Sequence, residues 1–355
     1  MRVGVFLRTF AAAILLSGGL ILLCSSAAGE EISPRDKIYS SLLAAEPEIG
    51  VSEFGLDKTE LIKLLREILL DAPELFYVSG KVSYSHGANG RVLTLTPTYT
   101  ATGDELDTQR KFYTDTVTGL LSALRESAGE AERALYIHDT LAAKFDYDVN
   151  YENYDAYSLF ANGRGVCQAY SLAFIALART VGLEARMITS DEMDHAWNIL
   201  RIDGEWYHID VTRDDPISDI APSETVLHQV FLRSDGAMKA LGYYGYESPY
   251  TCDSGRFESE GKGLLENVTT AVIFSEYGCF ATAKDGRKYR VELAKTPALT
   301  VLPSGDLDGN GVADAHDLQM AAGTPDFEEI RSIILSEMMK EVYLEEILRI
   351  RESRK

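Results

Sequence analysis

Basic side chains are the first scarcity in this chain. It carries 34 lysines and arginines against 55 aspartates and glutamates, a net charge of −21. That balance argues against nucleic acid and anionic membrane surfaces as partners. Long apolar runs are scarce too. The run AAAILLSGGLILL at residues 11–23 is shorter than the ~20 residues a membrane-crossing helix needs. Histidine is limited to 6 residues and cysteine to 4. None of His195, His208 and His228 stands at a recognisable zinc-ligand spacing from a cysteine. What remains is an ordinary globular composition, 46% hydrophobic and 25% charged over 355 residues, with room for two or three domains.

The informative stretch is 163–216, GRGVCQAYSLAFIALARTVGLEARMITSDEMDHAWNILRIDGEWYHIDVTRDDP. Gly163 and Gly165 favour a tight turn. The segment from Cys167 is rich in helix formers and closes at Gly182, a C′ glycine. Cys167 is therefore expected in the first turn of a helix, where unpaired N–H groups and the helix dipole favour an anion. Further on, Asp203-Gly204 is a two-residue hairpin signal between strands expected at 195–202 and 205–212. That turn sets Thr212 opposite His195, and Asp210 lies two residues along on the same face, within diagonal reach. A carboxylate there fixes the imidazole tautomer, so Cys167, His195 and Asp210 supply a nucleophile, a base and an orienter. The same register puts His208 on that face beyond the aspartate.

GRGVCQAYSLAF and DHAWNILRIDGEWYHIDVTRDDP resemble the core of the transglutaminase-like superfamily, relatives of the papain-like cysteine enzymes. ERALYIHDTLAAKFDYD (132–148) resembles the helix leading into that core, and VFLRSDGAMKALGYY (230–244) its continuation. The resemblance covers about 130–245. It implies an α+β, papain-like fold in which the cysteine helix packs on an antiparallel sheet carrying His and Asp. It sets the catalytic roles on Cys167, His195 and Asp210 and needs no cofactor for catalysis. It implies thiol-dependent acyl transfer on a protein or peptide amide, by hydrolysis or cross-linking. The backbone N–H of Cys167 is the expected oxyanion donor. No upstream position, Ala161 included, supplies the side-chain donor that papain-like families often add. That departure leaves an alternative open, a non-catalytic extracellular module that keeps the fold.

The flanks divide as follows. Arg2 and Arg8, the apolar run and Ser26-Ala27-Ala28 make residues 1–28 an expected export signal, leaving no stable membrane insertion after its removal. Cys24 follows Leu23, too large a residue for lipoprotein processing. Export leaves Cys167, Cys252 and Cys279, and in an oxidising compartment Cys252 and Cys279 are the natural pair; three reduced thiols are the alternative. Residues 29–103 are expected as an α/β region, with LLDAPELFYVSG similar to a prelude in some bacterial transglutaminase-like proteins. The core is expected at 104–248, opening on helices at 104–127 and 129–145. Tyr147, Tyr151, Tyr154 and Tyr157 either pack there or line a cleft. A small β region follows at 249–302, with a hairpin at Asp285-Gly286. In 303–355, GDLDGNGVADAHDL sets Asp306, Asp308, Asn310, Asp314 and Asp317 at calcium-loop spacing, with the Val312 carbonyl and Gly311 in place. It resembles one repeat of a dockerin, which implies structural calcium and a cohesin-like partner; a second loop is missing and a helix is expected instead, so a calcium-stabilised turn with no docking role is the alternative.

Overall fold

The computed structural model describes residues 32–301 apart from 217–224, 276–277, 285 and 295. The expected export segment, Cys24, the Asp285 turn position, and the expected calcium loop and following helix lie outside the described residues. No described helix is long and apolar enough to cross a membrane.

The N-terminal region folds around its own core. Helix α1 (Pro34–Leu43) starts at Ser33, whose side chain accepts from Asp36 N, and strand β1 (Ile49–Gly50) follows. Helix α2 (Lys58–Asp71) starts at a capping box between Asp57 and Glu60 and buries Leu61, Leu65 and Ile68, one face at helical spacing. Strands β2 (Val78–His86) and β3 (Val92–Tyr99) pair antiparallel, with β1 on the far side of β3. Ile38, Leu42, Tyr77 and Leu95 join the α2 residues and Leu106 in one apolar cluster. Tyr77 is buried, and its hydroxyl donates to the carbonyls of Leu42 and Leu43.

Helix α3 (Gly103–Leu120) stops short of the expected 127. Its last carbonyls are taken by side chains, Gly119 O by the Ser122 hydroxyl and Leu120 O by Tyr136, which ends the ladder there. Helix α4 (Glu130–Lys144) follows, then β4 (Asp146–Tyr147), α5 (Ala156–Asn162), β5 (Arg164–Gly165) and α6 (Cys167–Thr180). Every residue of α6 from Ala169 to Ala178 is buried, so this helix is the axis of the main core. It packs against α4, α5 and a three-stranded antiparallel sheet of β6 (Glu184–Ser190), β7 (His195–Ile202) and β8 (Glu205–Ile209), with β7 central. The β7–β8 register runs from Asn198↔Ile209 to Ile202↔Glu205, as a two-residue Asp203-Gly204 turn dictates. Arg179, near the end of α6, reaches Asp71 at 2.6 Å and so ties the N-terminal region to the core.

Strand β8 ends at Ile209, three residues before the expected Thr212. Asp210 caps a short helix, α7 (Val211–Asp214), by accepting from Arg213 N at 3.1 Å, which draws the chain out of the sheet. Helix α8 (Asp235–Ala240) and the ribbon β9 (Glu258–Ser259)–β10 (Lys262–Gly263) lead to a second antiparallel sheet. It consists of β11 (Ile273–Ser275), β12 (Gly278–Thr282), β13 (Lys288–Glu292) and β14 (Ala298–Val301) in sequence order. Val268, Cys279, Ala281, Val291 and Leu293 join α6 in the main core, so among the described residues this sheet shares that core.

That packing overturns the expected disulfide. Cys279 sits in the main core, whereas Cys252 sits in a separate cluster with Trp197, Ile199, Met238 and Tyr243. Both are free, buried thiols, as Cys167 is a free, part-buried one. Burial pushes both the Cys252 and the Cys279 thiol up to about 12, so neither is a nucleophile near neutrality.

Candidate active site

Cys167 is placed by the turn before it. Helix α5 ends at Gly163 in the left-handed region (φ 73°), which a glycine accepts without strain. The chain then pairs in parallel with β4, Asp146 against Arg164 and Tyr147 against Gly165. A Cβ on Gly165 would lie 2.6 Å from Leu159 Cδ1 and 2.7 Å from Ala169 Cβ, so only glycine lets the turn approach both helices. Val166 is the extended N-cap of α6 and offers no side-chain cap, which leaves first-turn N–H groups without a side-chain acceptor around Cys167. The neighbouring loop is fixed by Asp148, which accepts from the backbone of Asn150, Glu152 and Asn153 and from Asn153 Nδ2. Asn153 O then takes the Val166 N–H at 3.0 Å. Gly165→Ala is expected to destabilise the fold by about 1–3 kcal/mol, the usual range for overpacking. Because the strain falls two residues from Cys167, cysteine reactivity should drop even in the fraction that stays folded; urea titration and alkylation kinetics together check both.

His195 opens β7 and follows Asp194, which holds φ at 48°. Its Nε2 lies 2.6 Å from Asp210 Oδ2. A carboxylate only accepts, so Nε2 carries a proton and Nδ1 is left for the cysteine side. The Asp210 carboxylate is fully buried, and the His195 side chain keeps 22% of its surface, so the imidazole is shielded at the aspartate and open elsewhere. Tyr243 donates to the same Asp210 oxygen at 2.6 Å, while Oδ1 takes Arg213 N. Both oxygens of the aspartate are thus committed. Burial pulls His195 downward, but the hydrogen bonds to Asp210 and to Cys167, with their charges, outweigh it and raise the imidazole to about 10. Asp210 is held below the usual carboxylate range: burial opposes this, and His195, then Tyr243 and Arg213 N, prevail. The structure therefore joins His195 to Asp210, with Asp210 at a helix cap and not in a strand.

Behind this site lies a buried charge network that the sequence did not reveal. His138 Nδ1 bonds Asp139 Oδ1 at 2.8 Å, and its Nε2 bonds Asp214 Oδ2 at 3.2 Å. His228 Nε2 reaches Asp139 Oδ1 at 3.0 Å, and its Nδ1 faces Val268 O at 3.1 Å. Asp214 also accepts from Gln229 N and Val230 N, and Val230 O accepts from Asp210 N. The network so anchors both ends of α7, and through it Asp210. Burial works against the charge on His138, but its two carboxylates raise it to about 9. Asp139 is lowered to about 2, where His228 and His138 overcome burial. Nearby Asp215 is raised to about 7, chiefly by burial, despite the bond Tyr170 donates to it.

These shifts fix a stability profile. His138 and Asp215 bind protons more tightly folded than unfolded, so their contribution is lost as pH rises through about 7 and then about 9. Asp139 contributes above its unfolded value and loses this only as pH falls towards about 2. Thermal unfolding followed across pH should show a maximum on the acid side of neutrality and a steady fall in melting temperature from neutral to alkaline pH.

The remaining candidates separate. Tyr157 stacks on Phe76 at 4.7 Å and is a packing residue. Tyr147 and Tyr151 meet edge to face at 6.4 Å near Cys167, and Tyr154 is exposed, its carbonyl taking Gln168 Nε2 at 3.2 Å. His208 is engaged away from Asp210, with Trp197 and Asp235, and His228 belongs to the network above. Tyr243, His138, Asp139 and Asp214 were missed. The only sequence signals for them were the IHD, TRDDP and GYY segments within the resemblance.

Residues 119–211 match the model of the Transglutaminase-like superfamily, a stretch that contains Cys167, His195 and Asp210. The match supports a transglutaminase-like core there, and the mixed helix-and-sheet architecture fits an α+β class. No curated protein matches the chain. Among solved structures, it is similar to a candidate cysteine protease from Cytophaga hutchinsonii, at 16% identity and a TM-score of 0.25, over 38% of this chain and 62% of that one. It is also similar to a structure described as a TGase, at 13% identity and a TM-score of 0.26, over 52% of this chain and 49% of that one. The chain thus spans less than two thirds of either, and at these TM-scores neither likeness bears on substrate or reaction.

Proposed function

We propose that residues 104–248 catalyse thiol-dependent acyl transfer on protein or peptide amides, with Cys167 as nucleophile, His195 as proton carrier and Asp210 as its orienter. The observation that carries this reading is the 2.6 Å bond from His195 to a fully buried carboxylate. Cys167 Sγ attacks the amide carbonyl while its proton moves to His195. The backbone N–H of Cys167 faces the developing oxyanion. The leaving amine takes the proton from His195, and a thioester remains. Water or a second amine then attacks the thioester, giving hydrolysis or cross-linking.

The flanks suggest the setting: we assign residues 1–28 to export, and Asp306, Asp308, Asn310, Val312, Asp314 and Asp317 to one structural calcium ion. A cohesin-like protein is the partner class that the dockerin-like repeat fits. Titration calorimetry of the full chain with calcium should show one site of about 10⁻⁴–10⁻³ M, and absence of saturable heat removes the assignment. For the reaction, the full chain is incubated with a protein mixture and a biotinylated primary amine. Acyl transfer registers as peptide cleavage, ammonia release or biotin incorporation, each lost in Cys167→Ala. Equal product from wild type and Cys167→Ala overturns the reading.

A further inference from the structure

One hydrogen bond to Asp210 fixes one atom of the His195 ring; the plane of the ring needs a second contact. Trp197 supplies it. Two residues along β7 and so on the same face, its indole is 1% exposed and stacks on His195 at 5.8 Å and 20°. Tyr243 and Tyr246 meet the indole edge to face at 5.1 and 5.0 Å.

The indole is itself anchored. Trp197 Nε1–H donates to His208 Nδ1 at 3.0 Å. Indole nitrogen only donates, so His208 Nδ1 carries no proton. The proton of the neutral ring is then on Nε2, which donates to Asp235 Oδ1 at 2.8 Å. Burial holds His208 below its ordinary value although Asp235 pulls the other way, which agrees with a neutral ring. Asp235 is fixed in turn: its Oδ2 accepts from Cys252 N at 2.8 Å, and it opens α8. The His208 backbone is bridged to Arg233 by two bonds, at 2.8 and 2.9 Å. His208, Asp235 and Cys252 have the composition of a metal site. The Trp197 donor directs the His208 proton to Nε2, however, and that leaves no lone pair on the nitrogen facing Asp235.

We propose that His208 and Asp235 are positioning residues which, by anchoring the Trp197 indole, set the ring plane of His195 so that its Nδ1 meets the Cys167 thiol. The proposal rests on the reading of Cys167 and His195 as nucleophile and base. It gives a function to a histidine–aspartate pair outside the proposed nucleophile, base and orienter.

The test needs no natural substrate. The rate of Cys167 alkylation by iodoacetamide near neutral pH is measured on the full chain, with peptide mapping to exclude Cys252 and Cys279, and unfolding temperature recorded in parallel. His208→Leu should slow alkylation about tenfold through misplacement of the imidazole. His208→Gln, whose amide accepts from Trp197 and donates to Asp235, should stay within about twofold of wild type. A wild-type rate in His208→Leu, or equal loss in Leu and Gln variants, overturns the proposal. Should His208→Leu not fold, Trp197→Phe keeps an aromatic ring and loses the N–H; a wild-type rate there overturns it equally. Asp210→Ala separates the two levels: slow alkylation in Asp210→Ala beside a normal rate in His208→Leu defeats this inference alone. A normal rate in Asp210→Ala defeats the nucleophile–base reading and this inference with it.

Discussion

Asp210→Asn should lower turnover of an amide substrate by about 10²–10⁴, the range ascribed to a positioned proton carrier. The amide oxygen still accepts from Arg213 N, and the amide nitrogen that replaces Oδ2 can donate to the Tyr243 hydroxyl, so the α7 cap is retained and the melting temperature should change little. What is lost is the charge that stabilises protonated His195 and the acceptor that fixes Nε2 as the donor. The loss should fall mainly on kcat, because no contact with the ground-state substrate is removed. Comparable losses in stability and turnover would make Asp210 a structural cap and nothing more. Steady-state kinetics with urea unfolding on the same preparations distinguish the two.

The largest stability effect is expected at His138, 0% exposed and in contact with Asp139 and Asp214, both almost fully buried. His138→Leu removes the histidine shared by Asp139 and Asp214, leaving Asp139 with His228 and Asp214 with no histidine partner. Removing one partner of a buried ion network typically costs about 3–5 kcal/mol. Asp214 would keep its bonds from Gln229 N and Val230 N, and Asp139 its bond from Val272 N, so the penalty lies in charge more than in lost hydrogen bonds. The part of the alkaline decline that His138 gives wild type, as pH rises from neutral through about 9, should be missing from the variant. Urea titrations at two pH values measure both effects, and a cost below about 1 kcal/mol would show that the network contributes little.

How much of this was legible in the sequence depended on the range of the interaction. The Asp203-Gly204 turn fixes the β7–β8 register locally, and Gly163, Gly165 and Gly182 bracket α6 locally, so Cys167 and His195 were found from neighbours in sequence. The end of β8 was misjudged because Asp210 caps α7 through Arg213 N, and an aspartate within an apolar-alternating run reads equally well as strand. The network of His138, Asp139, Asp214 and His228 joins residues 76 and 89 positions apart, which no periodicity encodes. Tyr243 meets Asp210 across 33 positions for the same reason. The disulfide failed on packing: counting cysteines left Cys252 and Cys279 as a pair, and tertiary structure puts them in different apolar clusters.

The central claim is that Cys167 becomes acylated by an amide, and trapping that acyl group tests it most directly. The full chain is mixed with a peptide pool, quenched in acid within the first turnovers, digested and mapped by mass. The account predicts an added mass on Cys167 that hydroxylamine removes, as for a thioester, and that is missing from His195→Ala. An unmodified Cys167 while peptide amides are consumed, or an adduct that forms equally without His195, would contradict it.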